Sequence, residues 1–536
     1  VYTAALPWLT LLIAIPIAAG VLLRVVRPLH AHARAVGIIV SLVVLAGAIA
    51  ATATDFQLSA AGSYQLTEQV AWIPQIGASY ALGVNGLGLT MVFLTAFVVP
   101  VVLLAGVPAT PDRPTTPDRA ASYVALVLLF EGILVAVFSA RDVFLFYVLF
   151  EVMLLPIFLL IGHFGGARRR FAATKFLVYS LVGGFIMLIG VIALFVYGPG
   201  GEEAFLIENL AGAMSAVPDT AAKLIFLTFL VAFAIKAPMV PVHTWLPDTA
   251  EHSPAGVSTL LVGVMDKVGT FGIIALLLVI FPEQVAWAAP VVIVLAVISI
   301  LYGAILAIGS KDIMRLIAFT SISHFGFIVL GIFIGSEVAL TGAMFYMIAH
   351  GLSTAGLFLI SEQLTKRGGT QRIGAYGGFQ RVTPILAGAW LVAGLATISL
   401  PGLSGFWGEY MVLLGTFQVN WLAAVFSVVA VVLAALYVLM PYQRMFTGPK
   451  PEAGDGLALD ARTGLAHTDL DGSERVVAGA IVAGMLALGL YPAPVVDVLQ
   501  PVSERVVVIS DAPDFSSSGD APIDEAGTFD IDGSAP

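Results

Sequence analysis

Residues 222–241 read AKLIFLTFLVAFAIKAPMVP, and the fold is decided there. Lys236 stands 13 positions beyond Lys223 in an otherwise apolar run, about 20 Å along a helix. Pro238 and Pro241 then interrupt the run. A charge at a bilayer centre costs roughly 2.5–3.5 kcal/mol, and a lysine at this depth does not reach an interface by snorkelling. Proline removes a backbone donor. In a bilayer the freed groups are tolerated only where they are buried in protein or face a wet cavity. A buried base beside a broken helix is the pattern of an ion or proton path.

The pattern recurs. Glu151 lies nine positions beyond Asp142, about 14 Å in, and Lys267 lies fourteen beyond Ser253, about 21 Å in. Glu409 follows the run Ser399-Leu400-Pro401-Gly402 and Gly405. Less specific polar groups accompany these four. Glu131 is mid-span, Asp266 adjoins Lys267, and His324 and His350 lie within later spans. Imidazole titrates near working pH, so both histidines read either as relays or as satisfied structural residues. His243 and His252 flank Trp245-Leu246-Pro247-Asp248, where loop packing and proton entry are both open.

Composition agrees. The 536 residues are 59% hydrophobic and 11% charged, against about 25% charged in soluble proteins. There are no cysteines, which excludes disulfides and cysteine-held clusters in this chain. A net charge of −10 argues against nucleic acid. The first apolar run lacks a basic leader region and reads as a span that stays. Apolar runs near 5–23, 35–53, 84–107, 121–139, 143–162, 174–198, 222–240, 254–281, 287–308, 314–335, 338–362, 384–415, 421–440 and 476–491 meet the length of about 20 residues needed to cross the hydrocarbon. The expectation is an all-α polytopic membrane protein of about 14 transmembrane helices, with broken helices in spans 7 and 12.

Breaks in corresponding positions suggest two inverted five-helix repeats, spans 4–8 and 9–13. The chain then divides into 1–120 (spans 1–3), 121–283 and 284–440 (the repeats), a loop at 441–475, span 14 at 476–491, and an acidic tail at 492–536. The tail's Ser/Gly/Pro/Asp composition reads as disordered. Of the 24 Lys and Arg, nineteen fall in connections after odd-numbered spans and three in the other connections and tail; the last two are Lys236 and Lys267. The positive-inside rule makes the odd connections cytoplasmic and both termini outward. Abundant Ala and Val with more Arg than Lys suggest a GC-rich bacterium and hence its plasma membrane. Residues 83–88, GVNGLG, lack the rest of a dinucleotide unit and read as a helix start.

The run Phe146-Tyr147-Val148-Leu149-Phe150-Glu151 with Leu154-Leu155-Pro156 resembles span 5 of the antiporter-like subunits of respiratory complex I. So do Lys236-Ala237-Pro238 with Pro241, His243, Trp245-Leu246-Pro247 and Ser253-Pro254-Ala255, then Lys267-Val268-Gly269, then Leu400-Pro401-Gly402 with Phe406, Gly408 and Glu409. The resemblance covers about residues 70–420, in order. Glu at the span-12 position is the pattern of the M-type (chain 4) members; L- and N-type and Mrp antiporter subunits carry Lys there. Nothing after Tyr491 reads as the long lateral helix of the L type. Two departures stand out: Asn85 replaces the acid of a Gly-Val-Asp-Gly pattern, and Asp266 beside Lys267 is not a family feature.

The resemblance implies a proton-translocating membrane-arm subunit without a redox centre, driven by electron transfer elsewhere. Flavin mononucleotide, iron–sulfur clusters and quinone would belong to partner subunits. Implied partners are the L and N types, the lateral helix of the L subunit, small membrane subunits and lipids. Glu151 would switch Lys236 between holding and releasing a proton, and Lys267 with His324 and His350 would pass it to Glu409. A Mrp-type cation/proton antiporter subunit is one rival. Another is a membrane cytochrome with His324 and His350 as axial haem ligands, which gives no account of the buried lysines. A mere scaffold leaves the buried charges' cost unexplained.

Overall fold

The structure, a computed structural model, describes residues 6–109, 114–449 and 467–510. Two peripheral helices, α1 (Trp8–Val25) and α2 (Ala33–Asp55), lead into an antiparallel hairpin of β1 (Gln65–Ile73) and β2 (Ala78–Val84). Then follow α3 (Gly86–Ala105), α4 (Pro117–Ser139), α5 (Val143–Val152), α6 (Leu154–Phe164), α7 (Arg169–Tyr197) and the short α8 (Ile207–Ala213). The middle of the chain forms α9 (Asp219–Lys236), α10 (Trp245–His252), α11 (Ala255–Ile280), α12 (Pro282–Gly309), α13 (Ile313–Phe333) and α14 (Glu337–Gly368). The last part forms α15 (Pro384–Thr397), α16 (Gly405–Val419), α17 (Trp421–Phe446), α18 (Gly472–Leu490) and α19 (Ala493–Ser510).

Among the described residues, 12 helices are long and apolar enough to cross a membrane. The runs 222–240 and 384–415 appear instead as interrupted pairs, α9 with α10 and α15 with α16. Sequence punctuation sets the ends. Pro117, Pro282 and Pro384 open helices, where a missing N–H costs nothing. Asp142, Asp312, Ser336 and Asn420 cap first turns with side-chain oxygens. Gly369, at φ 69°, stops α14. Asn85 caps α3 by accepting from Gly88 N at 3.0 Å, so the glycine-rich 83–88 run is a helix start.

α13 and α14 are buried along their length and α11 nearly so, whereas α1, α2, α7, α12 and α17 expose broad apolar faces such as Phe185, Ile189, Val291 and Val432. A helix apolar all round belongs in a core or in lipid. Of the candidate residues, Asp266, Lys267, His324 and His350 sit on these three central helices.

The hairpin was not foreseen. Its buried Glu68 accepts from Leu9 N at 2.8 Å and Thr10 N at 3.2 Å, supplying the cap that Pro7 cannot give α1. Buried Asp142 joins the same end, accepting from Ser79 N and Leu145 N at 2.9 Å each.

The tail boundary requires correction. Residues 493–510, assigned to a disordered tail, form α19, with Leu499, Val502 and Ser503 buried. Val495, Leu499, Val502 and Val506 recur at helical spacing and make one apolar stripe. That stripe packs on α3 and α14, and Ser503 Oγ lies 2.6 Å from Thr341 Oγ1. A helix therefore does follow Tyr491, though of 18 residues. The acidic run beyond residue 510 and residues 450–466 of the expected 441–475 loop lie outside the described residues; α17, to Phe446, and α18, from Gly472, take up parts of its two ends.

Candidate functional site

α9 ends at Lys236 because the next turn cannot close. Pro238 has no N–H for the Ala234 carbonyl, which accepts Met239 N at 3.0 Å instead. The Ile235 carbonyl thus left over accepts Trp245 Nε1 at 3.0 Å, and Val240 N donates to Ser299 Oγ on α12 at 3.0 Å. The break is held open by protein partners, as a span in lipid requires. Lys236 is buried there, its Nζ without a hydrogen-bond partner, 5.5 Å and 5.3 Å from the ring centroids of Phe150 and Phe176. Such cation–aromatic contacts offset part of a buried ammonium's lost hydration.

Glu151, near the end of α5, is half-buried. Its carboxyl fills a notch at Gly184 of α7, where a Cβ would fall 1.5 Å from Oε1. No Glu151–Lys236 ion pair forms, and Glu151 Oε1 has no hydrogen-bond partner. Met153, between α5 and α6, keeps helical backbone angles and donates to Leu149 O at 3.0 Å, so 143–164 runs on as one span.

α11 contains two π turns, Leu261–Met265 and Ile273–Leu277. In the first, Asp266 N reaches five residues back to Leu261 O at 2.9 Å, not four to Val262. The Val262 carbonyl is thereby released and accepts Lys267 Nζ at 2.7 Å. The same Nζ lies 2.7 Å from His350 Nδ1 on α14. π turns of this kind are frequent at functional sites. Small residues allow the approach: a Cβ at Gly351 would lie 2.8 Å from the Gly263 carbonyl.

From His350 the polar groups continue. Its ring meets that of His324, on α13, edge to face at 5.2 Å between centroids. His324 Nε2 lies 3.1 Å from the Tyr437 hydroxyl on α17, and its ring is 5.7 Å from that of Tyr346. Tyr346 donates to Glu409 Oε2 at 3.1 Å, and Ser399 donates to the same oxygen. Ser399 holds φ 59°, a strained backbone for a residue with a side chain, and Gly402 holds φ 90°. Strain of this sort gathers where surroundings fix a site. Lys267, His350, His324, Tyr346 and Glu409 thus form one buried row.

The sequence reading missed Tyr346, Tyr437 and Ser399. Tyr346 had a signal, since it precedes His350 by four residues and shares its helix face. The two histidines cannot be axial haem ligands in this arrangement. Their rings touch directly and Phe325 lies 5.2 Å from His350, leaving no layer for a macrocycle.

Other expected residues stand apart. Glu131 is buried in α4 with neither carboxylate oxygen partnered and joins no part of the row. His252 ends α10, where its carbonyl accepts Gly166 N at 2.8 Å. His243, in the bend between α9 and α10, packs on Tyr302 at 5.2 Å and lines an open cavity of about 1310 Å³. Burial, then the Lys175 charge, pushes its imidazole below the ordinary value. In that cavity Asp248 of α10 binds Lys175 Nζ at 2.5 Å and Arg315 Nη1 at 2.6 Å, and Arg315 also meets Glu251 at 3.0 Å. Burial pushes Asp248 up, but the bonds from Lys175 and Arg315 outweigh it and hold the carboxyl below its usual range. Burial pushes Asp312, which caps α13 beside them, up to about 6. The cluster ties α7, α10 and α13 together.

The profile of the family described as NADH:quinone oxidoreductase/Mrp antiporter, TM, matches residues 140–434. The chain belongs to this family. NADH-quinone oxidoreductase subunit M of Mycobacterium tuberculosis is 42% identical over 97% of this chain and 98% of its own length. Subunit M of Rhodobacter capsulatus is 33% identical over 83% of this chain and 84% of its own length. Among solved structures, a chain of respiratory complex I from Thermus thermophilus superposes with a TM-score of 0.82 at 31% identity, covering 94% of this chain and 99% of that one. A chain of the Mrp complex from Dietzia sp. gives 0.81 at 25% identity, covering 95% and 99%. The matched NADH:quinone oxidoreductase/Mrp antiporter segment contains Glu151 and the whole row from Lys236 to Glu409, and leaves Glu131 outside it.

Proposed function

We propose that this chain is the antiporter-like, M-type membrane-arm subunit of a proton-translocating NADH–quinone oxidoreductase. The observation that carries the reading is the buried row from Lys267 through His350, His324 and Tyr346 to Glu409, reached from the broken helix at Lys236. Buried acids and bases in such a row gain and lose protons where regular helices would exclude them. Glu151, near the end of α5, biases Lys236. Lys236 and Lys267 store the proton, the two histidines carry it between α14 and α13, and Glu409, held by Tyr346 and Ser399, passes it on at the second break. His243 and the cavity around Asp248 form the entry, with His252 at the end of α10 beside it; Glu131 stands apart from this path.

The same reading places 121–283 and 284–440 as inverted repeats, completes about 14 spans with the two interrupted pairs, and sets both termini outside a bacterial plasma membrane. The driving change arrives from L- and N-type and smaller membrane subunits; flavin, iron–sulfur clusters and quinone belong to partners, and lipid covers the remaining apolar faces.

The likeness to the Mrp complex supports a second reading, a cation/proton antiporter subunit. Affinity purification of the tagged chain separates them. Co-purifying flavin and iron–sulfur subunits, with NADH-driven proton uptake in inverted vesicles, support the first. Recovery of small antiporter subunits alone, without NADH oxidation, overturns it.

A further inference from the structure

Between Lys236 and Lys267 the row has no hydrogen-bonded link, and one carboxylate stands between the two helices that carry them. Asp266 is fully buried, and neither of its oxygens has a hydrogen-bond partner. An unsatisfied buried acid is costly. Its placement is specific. Gly269, one turn beyond Asp266 on the same face, sits against the α9 break: a Cβ there would lie 2.7 Å from both Ala237 N and Phe233 O. Adjacent helix residues project about 100° apart. Lys267 accordingly turns to Val262 O and His350 on the α14 side, while Asp266 lies towards the break that holds Lys236.

We infer that Asp266 is a proton-carrying residue that bridges Lys236 and Lys267. In the first transfer an N–H bond of the Lys236 ammonium breaks and an O–H bond forms on the Asp266 carboxylate, leaving a neutral amine and a neutral acid. Converting a buried unlike-charge pair into a neutral pair removes the cost of holding both charges in low dielectric. Lys267 meanwhile gives a proton to His350 Nδ1. In the second transfer the Asp266 O–H breaks and its proton restores the Lys267 ammonium. Proton number and charge balance at each step. This inference rests on the proton-path reading above and adds a member to it.

The test uses the intact oxidoreductase in inverted membrane vesicles, with assembly checked by subunit recovery. Proton uptake per NADH oxidised is compared for Asp266→Asn, Asp266→Ser, Asp266→Glu, Lys236→Ala and Glu409→Gln. The expected result is a loss of at least threefold in proton uptake for assembled Asp266→Asn, with more than half retained by Asp266→Glu. A purely structural role would not be rescued by the longer acid in preference to the isosteric amide. Should Asp266→Asn fail to assemble, Asp266→Ser, smaller and equally unable to titrate, gives the same decision. Wild-type proton uptake in an assembled non-titrating variant, with Lys236→Ala and Glu409→Gln inactive, overturns the bridge and leaves the path intact. Wild-type uptake in those two variants as well overturns the path and the bridge together.

Discussion

Lys267 Nζ lies 2.7 Å from His350 Nδ1 across the α11–α14 interface, and a carbonyl released by a π turn fixes the ammonium at that distance. The contact joins α11 and α14 between two fully buried side chains. Its surroundings generate five expectations.

Glu409→Gln keeps volume and hydrogen bonding but not titration. Assembled enzyme is expected to lose at least tenfold in NADH-driven proton uptake, and Glu409→Asp less. Tyr346→Phe removes the 3.1 Å donor to Glu409 and is expected to lower turnover about tenfold, since a hydrogen bond to a charged group contributes roughly 1.5–3 kcal/mol and about 1.4 kcal/mol is tenfold in rate. Full uptake by Glu409→Gln would remove this residue from the path.

Lys236 has no hydrogen-bond partner, so its value is functional rather than structural. Replacing both members of a buried ion pair by apolar residues of similar volume is often neutral or stabilising by about 1–4 kcal/mol, whereas removing one member leaves the other charge uncompensated. Lys236→Met combined with Asp266→Val is therefore expected to match or exceed the parent in thermal unfolding while abolishing pumping, and Lys236→Met alone to unfold earlier. A clear fall in Tm for the double variant would show that the pair holds the fold.

Gly184→Ala places a methyl group where the Glu151 carboxyl now sits. Alanine is otherwise about 1 kcal/mol more favourable than glycine within a helix, so folding is not expected to suffer. The displaced acid should reduce turnover about as much as Glu151→Ala does, with Glu151→Asp milder. Unaltered proton uptake in Gly184→Ala would show that the notch is irrelevant.

Burial raises the folded-state value of Asp312 to about 6, above its ordinary 3.8. The folded protein then binds the extra proton between these values, so this group's contribution to stability falls as pH rises from about 4 to 6. Asparagine caps a helix as well as aspartate does, so Asp312→Asn preserves the bonds to Met314 N and Arg315 N. Its Tm relative to the parent is expected to be higher at pH 7.5 than at pH 5. Asp248, held below its usual range, has the opposite sense: its tie to Lys175 and Arg315 stabilises above about pH 4 and is lost as pH falls through the lowered value.

The chain has no cysteine, which makes its orientation easy to read. Ser59 is exposed at the hairpin end, and Gly374 is exposed with open space around its Cα. Ser59→Cys is expected to react with an impermeant maleimide on intact cells, Gly374→Cys only after the membrane is opened. The reverse labelling would invert every direction assigned to the path.

Much of this was legible in the sequence. Pro238, Pro241 and Pro401 mark both broken helices because proline acts on its own turn, and Lys236, Lys267 and Glu409 are conspicuous because lipid tolerates so few charges. Interactions across long separations were not legible. Glu409 meets Tyr346 across 63 positions and His324 meets Tyr437 across 113; neither tyrosine carries a local mark of its partner. The π turns of α11 depend on packing against α9 and α14, which no residue in 261–277 announces. α19 was hidden because the acidic run that follows it dominated the composition of the whole segment.

The paired π turns also set the phase of α11. Each π turn holds more residues than an α turn and so shifts the faces that follow it out of α-helical register. Residues 266–272 lie between the two, a cassette indexed separately from the helix on either side. Were Leu261–Met265 to close into a regular α turn at unchanged length, the whole cassette would swing by about 100°, carrying Lys267 off His350 and Asp266 off the α9 break without altering a single side chain in the row. The azimuth of this one helix segment, as much as the identity of its acids and bases, determines whether the two halves of the chain are connected.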